Sequence, residues 1–159
     1  MWVAAWLGCG DPSGGGGISA ASYGLAPGLE LVFAPTDAPD GPARTLRGAD
    51  GQWELRDGES WDDGSVVGVY EVSTADGLRV DDTLLLPPYF RVGTTEGGVT
   101  VTEVGPIEVY YGTFDPAVRV EVDAGAWAGP QVFAQGFGPA RLTLDGTTWD
   151  LVTYDHLPE

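Results

Sequence analysis

Side chains able to do acid, base or metal chemistry are sparse in this chain, apart from its carboxylates. His156 is the one histidine, and it lies in the C-terminal segment Tyr154–Glu159. A serine, histidine and aspartate triad would depend on it, and the sequence has no Gly-x-Ser-x-Gly turn to present a nucleophile. Zinc sites use several histidine or cysteine ligands, which the chain lacks. The sequence therefore predicts no catalytic residue, no metal site and no cofactor.

Carboxylates are abundant, and two acidic turns have oxygen ligands close together in sequence. Glu59–Gly64 and Asp37–Gly41 could each hold Ca²⁺ in a loop, but neither has the twelve-residue Asp-x-Asp-x-Asp-Gly pattern with its terminal Glu. Solvated turns are therefore favoured. A carboxylate pair for glycoside hydrolysis stays open, because only the separation of two acids in space identifies such a pair.

Aromatic residues are the remaining indication of a binding function. The chain has six Trp, six Tyr and five Phe. Trp53, Trp127 and Trp149 fall in or beside strand patterns and are predicted to be core, whereas Trp61 lies among acidic turn residues and is predicted to be exposed. Exposed aromatics stack on sugar rings or line apolar grooves. The candidate ligand-binding residues are Trp61, Tyr110, Phe133 and Phe137.

The charge of the chain restricts its partners. Seven arginines and no lysine stand against 24 Asp and Glu, for a formal net charge of −17 over 159 residues. Such a surface repels phosphate backbones, since nonspecific nucleic-acid binding needs clustered cations. The length fits one domain with a substantial core. Nucleic acid is therefore excluded, and the expected partners are an apolar ligand or an envelope protein.

An apolar run precedes the single cysteine, Cys9, and a glycine-rich segment follows it. Residues 2–8 read WVAAWLG and residues 10–17 read GDPSGGGG. This arrangement resembles the end of a bacterial lipoprotein signal, in which the cysteine becomes the lipidated first residue. The resemblance implies an extracytoplasmic, membrane-anchored protein. Residues 1–9 would be a truncated signal that starts upstream of Met1, and residues 10–22 a flexible tether. If residues 1–9 are not a signal, the alternative is a cytoplasmic protein.

Strand patterns dominate residues 23–155, which we predict to be one β domain followed by a short tail, residues 156–159. Helical periodicity is absent, and 25 glycines and 12 prolines interrupt the chain too often for helices of ordinary length. The tail is expected to make few contacts. The predicted strands are Leu29–Phe33, Gln52–Arg56, Val66–Ser73, Leu78–Val80, Thr83–Leu86, Tyr89–Val92, Val99–Val104, Ile107–Tyr111, Val118–Val122, Arg141–Leu144 and Thr148–Thr153.

Alternation is clearest in the C-terminal third. Val118, Val120 and Val122 fall on one face of a strand and charged residues fall between them, as in a sheet with one buried and one solvated face. Asp145-Gly146 predicts a tight hairpin, because both positions of that turn need positive φ. Many short strands without helices predict a single, strongly curved antiparallel sheet, a partial barrel, with a β-sandwich as the alternative.

The β region contains three motifs: a proline-glycine opening at Tyr23–Gly28, a Gly-Thr-Phe turn at Gly112–Asp115 and an aromatic-Ala-x-Gly-x-Gly turn at Phe133–Gly138. With the closing strand Trp149–Tyr154, they resemble a broad group of bacterial extracytoplasmic β domains, often lipoproteins. In that group Val-Pro-Ala-like residues usually stand where this chain has Tyr110-Tyr111. The resemblance implies that the shared residues shape turns and core. Some members resemble half-barrel periplasmic carriers of lipoprotein acyl chains, which is a likeness of fold.

These observations together predict a noncatalytic envelope lipoprotein domain with a binding or structural role, and not an enzyme. An alternative is a carrier that holds an apolar or acyl ligand in the concave face of the sheet. A third is a carbohydrate-binding domain or a carboxylate-dependent glycosidase domain. In each case membrane contact would come through the lipid anchor.

Overall fold

The computed structural model describes residues 17–158, which form an all-β fold with one four-residue 3-10 helix at Ala20–Tyr23. Cys9 and the first part of the predicted tether lie outside the described residues. In the described part, no helix is long and apolar enough to cross a membrane. The strands are β1 (Ile18–Ser19), β2 (Leu29–Pro35), β3 (Arg44–Ala49), β4 (Gln52–Asp57), β5 (Val66–Ser73), β6 (Leu78–Val80), β7 (Thr83–Leu86), β8 (Tyr89–Phe90), β9 (Thr95–Glu96), β10 (Val99–Val109), β11 (Gly112–Val122), β12 (Gly129–Ala134), β13 (Gly138–Leu144) and β14 (Thr147–His156).

Twelve of the strands within residues 17–158 form one antiparallel sheet, in the order β7, β6, β5, β4, β3, β2, β14, β13, β12, β11, β10, β9, and β1 pairs with β8. The sheet is not closed, because β7 and β9 are not hydrogen-bonded to each other. It is strongly curved, since β7 comes within 8 Å (Cα to Cα) of β10 and β11 from the opposite end of the strand order. The predicted all-β antiparallel fold is confirmed.

The inner face of the curved sheet encloses the main core. Val118, Val120 and Val122 of β11 are buried there, whereas Glu121 is exposed and Arg119 is half-buried. The alternation predicted for this strand is therefore confirmed. Burial of each such side chain contributes roughly 1.5–3 kcal/mol relative to exposure.

The predicted core tryptophans pack in or against this interior. Trp127 lies in the loop between β11 and β12, and its ring meets Trp53 of β4 edge-on at a centroid distance of 6.4 Å. The Tyr70 ring of β5 packs against Trp127 at 5.3 Å. Trp53 and Trp127 are buried, and Trp149 is half-buried against the same core. The prediction of core positions holds fully for the first two.

Tight turns with positive φ connect several neighbouring strands. The predicted Asp145-Gly146 hairpin is confirmed, with φ of 51° and 84°. The same dipeptide at Asp50-Gly51, with φ of 52° and 77°, joins β3 to β4. Asp81-Asp82, with φ of 49° and 69°, joins β6 to β7. Asp and Gly suit these positions because they reach the left-handed region at low steric cost.

The fold begins before the predicted boundary at Tyr23. Ile18 pairs with Phe90, and Ala20 is buried in the main core. Residues 17–22 were predicted to be tether, and the structure instead packs them against the sheet. Ala20 provides the physical reason, because its side chain is buried and its amide donates to the Pro88 carbonyl at 3.0 Å.

The C-terminal boundary also differs from the prediction. β14 extends to His156, which pairs with Leu29 of β2, and the amide of Leu157 donates to the Gly28 carbonyl at 2.7 Å. The prediction that residues 156–159 form a tail with few contacts is therefore wrong for these two residues. The added backbone hydrogen bonds to β2 carry the strand past its last aromatic residue, Tyr154.

Two further differences concern the middle of the chain. The predicted strands Val99–Val104 and Ile107–Tyr111 belong to one strand, β10, because a register shift between Gly105 and Ile107 absorbs the irregularity. The prediction is wrong for Tyr110 and Tyr111, because β10 ends at Val109 and these two residues form the turn to β11. β3 was not predicted, since its sequence RTLRGA carries two arginines and a glycine. Neither difference changes the architecture.

Candidate functional site

The groups that could do acid–base or metal chemistry do not converge. Among residues 17–158, no three His, Cys, Asp or Glu side chains are placed to hold a metal ion together. Asp37 and Asp40 are exposed in their turn. His156 is exposed, and its ring centroid lies 5.9 Å from that of Tyr154. These residues occupy surface positions rather than a cleft.

Trp61 is held against the outer face of the sheet rather than presented to solvent. The guanidinium carbons of Arg47 and Arg56 lie 4.5 and 4.3 Å from its ring centroid, and Arg56 donates to the Trp61 carbonyl at 2.9 Å. Glu30 and Glu54 pair with these two arginines, each at 2.6 Å. The half-buried ring packs the Glu59–Gly64 loop against the two arginines of these ion pairs. Each cation–π contact contributes about 0.5–1 kcal/mol at a partly exposed site. The expectation that Trp61 is exposed needs this correction.

The structure separates the other three candidate ligand-binding residues into two groups. Phe133 is fully buried in the main core, where it pairs with Val118. It is therefore a core residue, because its inward position on β12 removes it from the surface. Tyr110 and Phe137 both lie at the end of the sheet where the β10–β11 turn, the β12–β13 turn and the end of β14 meet.

An aromatic cluster occupies this end of the sheet, and we call it the aromatic tip. Tyr111 stacks on Phe114, with centroids 6.0 Å apart and an angle of 24°, and meets Tyr154 at 5.4 Å. Phe137 lies 5.0 Å from both Phe114 and Tyr154. Ring contacts connect five of its members, Tyr111, Phe114, Phe137, Tyr154 and His156, from three elements far apart in sequence, and Tyr110 joins the tip as the neighbour of Tyr111 in the turn. Its members are Tyr110, Tyr111, Phe114, Phe137, Tyr154 and His156.

Two tyrosines form the turn at the centre of the aromatic tip. Val109 pairs with Gly112, so Tyr110 and Tyr111 are the two connecting residues, and their side chains are 60% and 46% exposed. Neither has the positive φ that the Asp-containing turns of this chain adopt. Two-residue hairpins favour Asn, Asp and Gly because those residues reach positive φ easily. Local departures of this kind from turn chemistry are typical of functional sites.

The turn is fixed on a second apolar cluster beneath it. Ile107 and Val109 of β10 pack with Val132 and Ala134 of β12 and with Ala140 of β13. These residues form the outer face of the sheet, opposite the main core. The hairpin therefore has a buried underside and an exposed aromatic end, which restricts its motion.

A buried polar network provides the second attachment of the turn. The Tyr110 amide donates to Asp150 Oδ2 at 2.9 Å, and Thr36 Oγ1 donates to Oδ1 at 2.8 Å. Arg141 donates to the same carboxylate from Nε at 2.6 Å and from Nη2 at 3.0 Å. Burial by itself raises the pKa of Asp150, but these hydrogen bonds favour the ionised form more strongly and hold the pKa below its ordinary value. The contact with Asp150 also raises the pKa of Arg141.

One crevice in the described interior of the sheet is lined by aromatic rings. An apolar crevice of about 10 Å³ lies between Trp53, Tyr70, Trp127 and Trp149. That volume is about the space one water molecule needs. An acyl chain would therefore enter this crevice only if these rings moved apart.

An open acidic groove of about 640 Å³ lies elsewhere, where the β3–β4 and β6–β7 turns meet β5. Part of its polar lining is engaged, since Asp81 Oδ1 accepts from the Glu71 amide at 2.8 Å and Arg79 donates to the Asp82 carbonyl at 3.4 Å. Sequence reasoning missed this groove because its carboxylates come from separate turns. Its lining contains several carboxylates. Among the described residues, no three His, Cys, Asp or Glu side chains are arranged to hold a metal ion there.

Comparison of this chain with models of protein families, with curated proteins and with solved structures found no match. The class of protein is therefore defined by the fold and the site alone: an open, strongly curved antiparallel β domain with an aromatic tip fixed on its outer face.

Proposed function

We propose that this chain is a noncatalytic binding domain of the bacterial envelope, anchored by a lipid on Cys9, and that the aromatic tip is its contact surface. The observation that carries the proposal is the turn Tyr110-Tyr111, in which two exposed aromatics replace the residues a tight hairpin favours. The lipid anchor rests on the sequence around Cys9, which lies outside the described residues.

Rigidity supports a binding role for the tip. A surface that is ordered before binding loses less conformational entropy when a partner arrives. The Tyr110 amide is fixed by Asp150, and the Tyr111 ring is fixed by Phe114 and Tyr154. Tyrosine combines a large contact area with few rotatable bonds and a polar hydroxyl, which suits recognition of both proteins and sugars.

A carbohydrate ligand is the second candidate, and the exposure of Tyr110 favours it. Among the described residues its ring makes none of the aromatic contacts that hold Tyr111, and Tyr110 is 60% exposed, so its face is open to stack on a sugar. Carriage of an acyl chain inside the sheet has less support, because the described interior crevice has a volume of about 10 Å³.

Tyr110→Ala tests the contact surface. The variant keeps the amide that bonds Asp150, so the turn is expected to stay in place while the exposed ring is lost. We expect binding to isolated bacterial envelopes, or to polysaccharide purified from them, to weaken on the order of tenfold, as for the loss of about 1.4 kcal/mol. Co-sedimentation with each material measures the change in binding. Binding to the purified polysaccharide indicates a sugar ligand, whereas binding to the envelopes alone indicates a protein ligand.

Tyr89→Ala is the matched control, because Tyr89 is 63% exposed and lies in β8, outside the tip. Its binding should equal that of the wild type. Equal loss in both variants, or none in Tyr110→Ala, would remove the tip from the proposal. Turnover of a polysaccharide in the same assays would contradict the noncatalytic role.

Cys9→Ala tests the anchor. When the gene is expressed in a bacterium with its own upstream sequence, the wild-type protein should incorporate labelled palmitate and partition into detergent, whereas Cys9→Ala should remain unlabelled in the aqueous phase. The thiol is the required acceptor, so no other residue should restore labelling. Identical labelling of the two proteins, or labelling of neither, would rule out the lipid anchor.

A further inference from the structure

The described part of the chain begins beside strand β8. Ile18 of β1 pairs with Phe90, and a side chain added at Gly17 would lie 3.2 Å from the Phe90 carbonyl oxygen. Cys9 precedes Gly17 by eight residues, which span at most about 29 Å when fully extended. A folded domain of about 140 residues is roughly 35–40 Å across. A lipid on Cys9 would therefore keep the β8 side of the domain nearest to the bilayer.

The two segments that meet at β8 lack the negative charge of the chain as a whole. Residues 17–29 carry no charged residue, and residues 83–95 carry Arg91 alone, in a chain of formal net charge −17. Among residues 17–158, Arg91 is also the one arginine without a carboxylate oxygen within 4.0 Å, since the other six form ion pairs. An unpaired cation in segments without carboxylates suits an anionic partner.

A tight turn presents this cation beside an exposed apolar side chain. The Thr94 amide donates to the Arg91 carbonyl at 3.0 Å, and the Arg91 amide donates to Thr94 Oγ1 at 3.0 Å. Gly93, the third residue of the turn, has a φ of 97°, which glycine adopts at low steric cost. Val92, the second residue, is 59% exposed. We call residues 91–94 the β8–β9 turn.

The β8–β9 turn is attached to strand β10. The Gly93 amide donates to the Val101 carbonyl at 2.8 Å, and the Val101 amide donates to the Thr94 carbonyl at 2.8 Å. The neighbouring residues of β10, Thr100 and Thr102, are uncharged. The turn is therefore ordered before it meets a partner, and the strand behind it adds no carboxylate at the point of attachment.

We propose that the β8–β9 turn is a second membrane contact, which rests on the anionic surface of the bilayer that holds the lipid on Cys9. This inference depends on the proposed lipid anchor. The guanidinium of Arg91 binds lipid phosphate oxygens through paired hydrogen bonds, and Val92 lies against the headgroup region. The acidic remainder of the surface is repelled by the same headgroups, so the domain takes one orientation on the bilayer.

The contact needs the anchor for its strength. One arginine and one valine are too few to hold an unlipidated domain on a bilayer, because stable membrane binding takes a stronger pair of signals. Once the anchor keeps the domain close to the surface, binding of the turn becomes intramolecular and the effective concentration of headgroups is high. The unlipidated protein should therefore not bind vesicles through this turn.

The test attaches the full, unlipidated chain through its single thiol, Cys9, to a maleimide lipid in vesicles of phosphatidylcholine and phosphatidylglycerol. This coupling places a lipid at residue 9 whether or not cells lipidate it. Hydrogen exchange followed by mass spectrometry compares this protein with the same chain coupled to a soluble maleimide. The amides of residues 91–95 should exchange more slowly on the vesicles, and vesicles of phosphatidylcholine alone should give less protection because they lack net negative charge.

Val92→Asp should abolish this protection, because it replaces the apolar side chain with a carboxylate that the headgroups repel. Val66→Asp is the matched control, since Val66 is 53% exposed and lies in β5, outside both uncharged segments. It makes the same change of residue and charge and should leave the protection of residues 91–95 as in the wild type.

Equal exchange of residues 91–95 on vesicles and in solution, or protection that Val92→Asp leaves intact, overturns the proposal. Failure of the anchor is recognised separately, by the absence of palmitate on Cys9 in cells, and it would remove this contact as well. Palmitate on Cys9 without protection of the β8–β9 turn would remove the contact and leave the anchor in place.

Discussion

Replacing Val120 with aspartate should unfold the domain. Val120 is fully buried in the centre of β11, between Val101 of β10 and Gln131 of β12. A carboxylate there has no cation beside it, and burial of an unpaired charge costs several kcal/mol, a large part of a typical folding free energy of about 5–15 kcal/mol. Circular dichroism and urea titration should show a loss of cooperative unfolding.

Glu121→Gln is the control for that substitution, one position along the same strand. The Glu121 side chain is exposed. Its replacement should change the free energy of unfolding by no more than about 0.5 kcal/mol. If the domain tolerated both substitutions equally, β11 would be out of register with the core described above.

Asp150→Asn should be the second most damaging substitution, with a cost of about 3–5 kcal/mol at neutral pH. The variant removes the negative charge and leaves the guanidinium of Arg141 mostly buried without its counterion, and breaking a buried pair from one side has a cost of this size. Urea denaturation at pH 7 measures the difference. Asp57→Asn is the matched control, because the Arg44–Asp57 pair has an Asp side chain that is 60% exposed, and the expected cost is about 0.5 kcal/mol or less.

The difference between wild type and Asp150→Asn should also depend on pH. The folded pKa of Asp150 is lowered, so its contribution is complete above the ordinary aspartate pKa of about 3.9 and declines as pH falls toward the folded pKa. The two proteins should therefore keep a constant difference from pH 7 to about pH 5 and approach each other in stronger acid. A difference that grew in acid, or equal costs at Asp150 and Asp57, would contradict the buried ion pair.

Sequence patterns predicted those strands and turns that are determined mainly by neighbouring residues. The alternation of Val118 to Val122 requires one buried face whatever the neighbouring strands are, and Asp145-Gly146 selects its turn by its own φ preferences. β3 was missed although Asp50-Gly51 was available as the same signal, because its adjacent Thr45 and Leu46 are both buried and the strand therefore lacks the alternation that identifies a strand from sequence. That turn dipeptide was the stronger evidence.

The candidate site was less predictable, because its parts meet through tertiary structure. Tyr110 and Phe137 were singled out for their residue type, yet nothing local indicates that Tyr154 joins them. Asp150 falls in a strand pattern like that of other acidic residues, and its role depends on Arg141, Thr36 and the Tyr110 amide converging on it. Trp61 was expected to be exposed because the arginines that hold it belong to two other strands.

The pairing of β14 with β2 has a consequence for when this protein folds. These strands are the sixth and seventh in the order of the twelve-stranded sheet, and they join residues such as Leu29 and His156 from opposite ends of the chain. Contacts of such long sequence separation slow folding, because loop-closure entropy is lost before they form. While the chain is still being synthesised, β2 has no partner on the side that β14 will occupy. The two halves of the sheet can therefore join only after β14 has been synthesised, so the nascent domain stays incompletely folded until then.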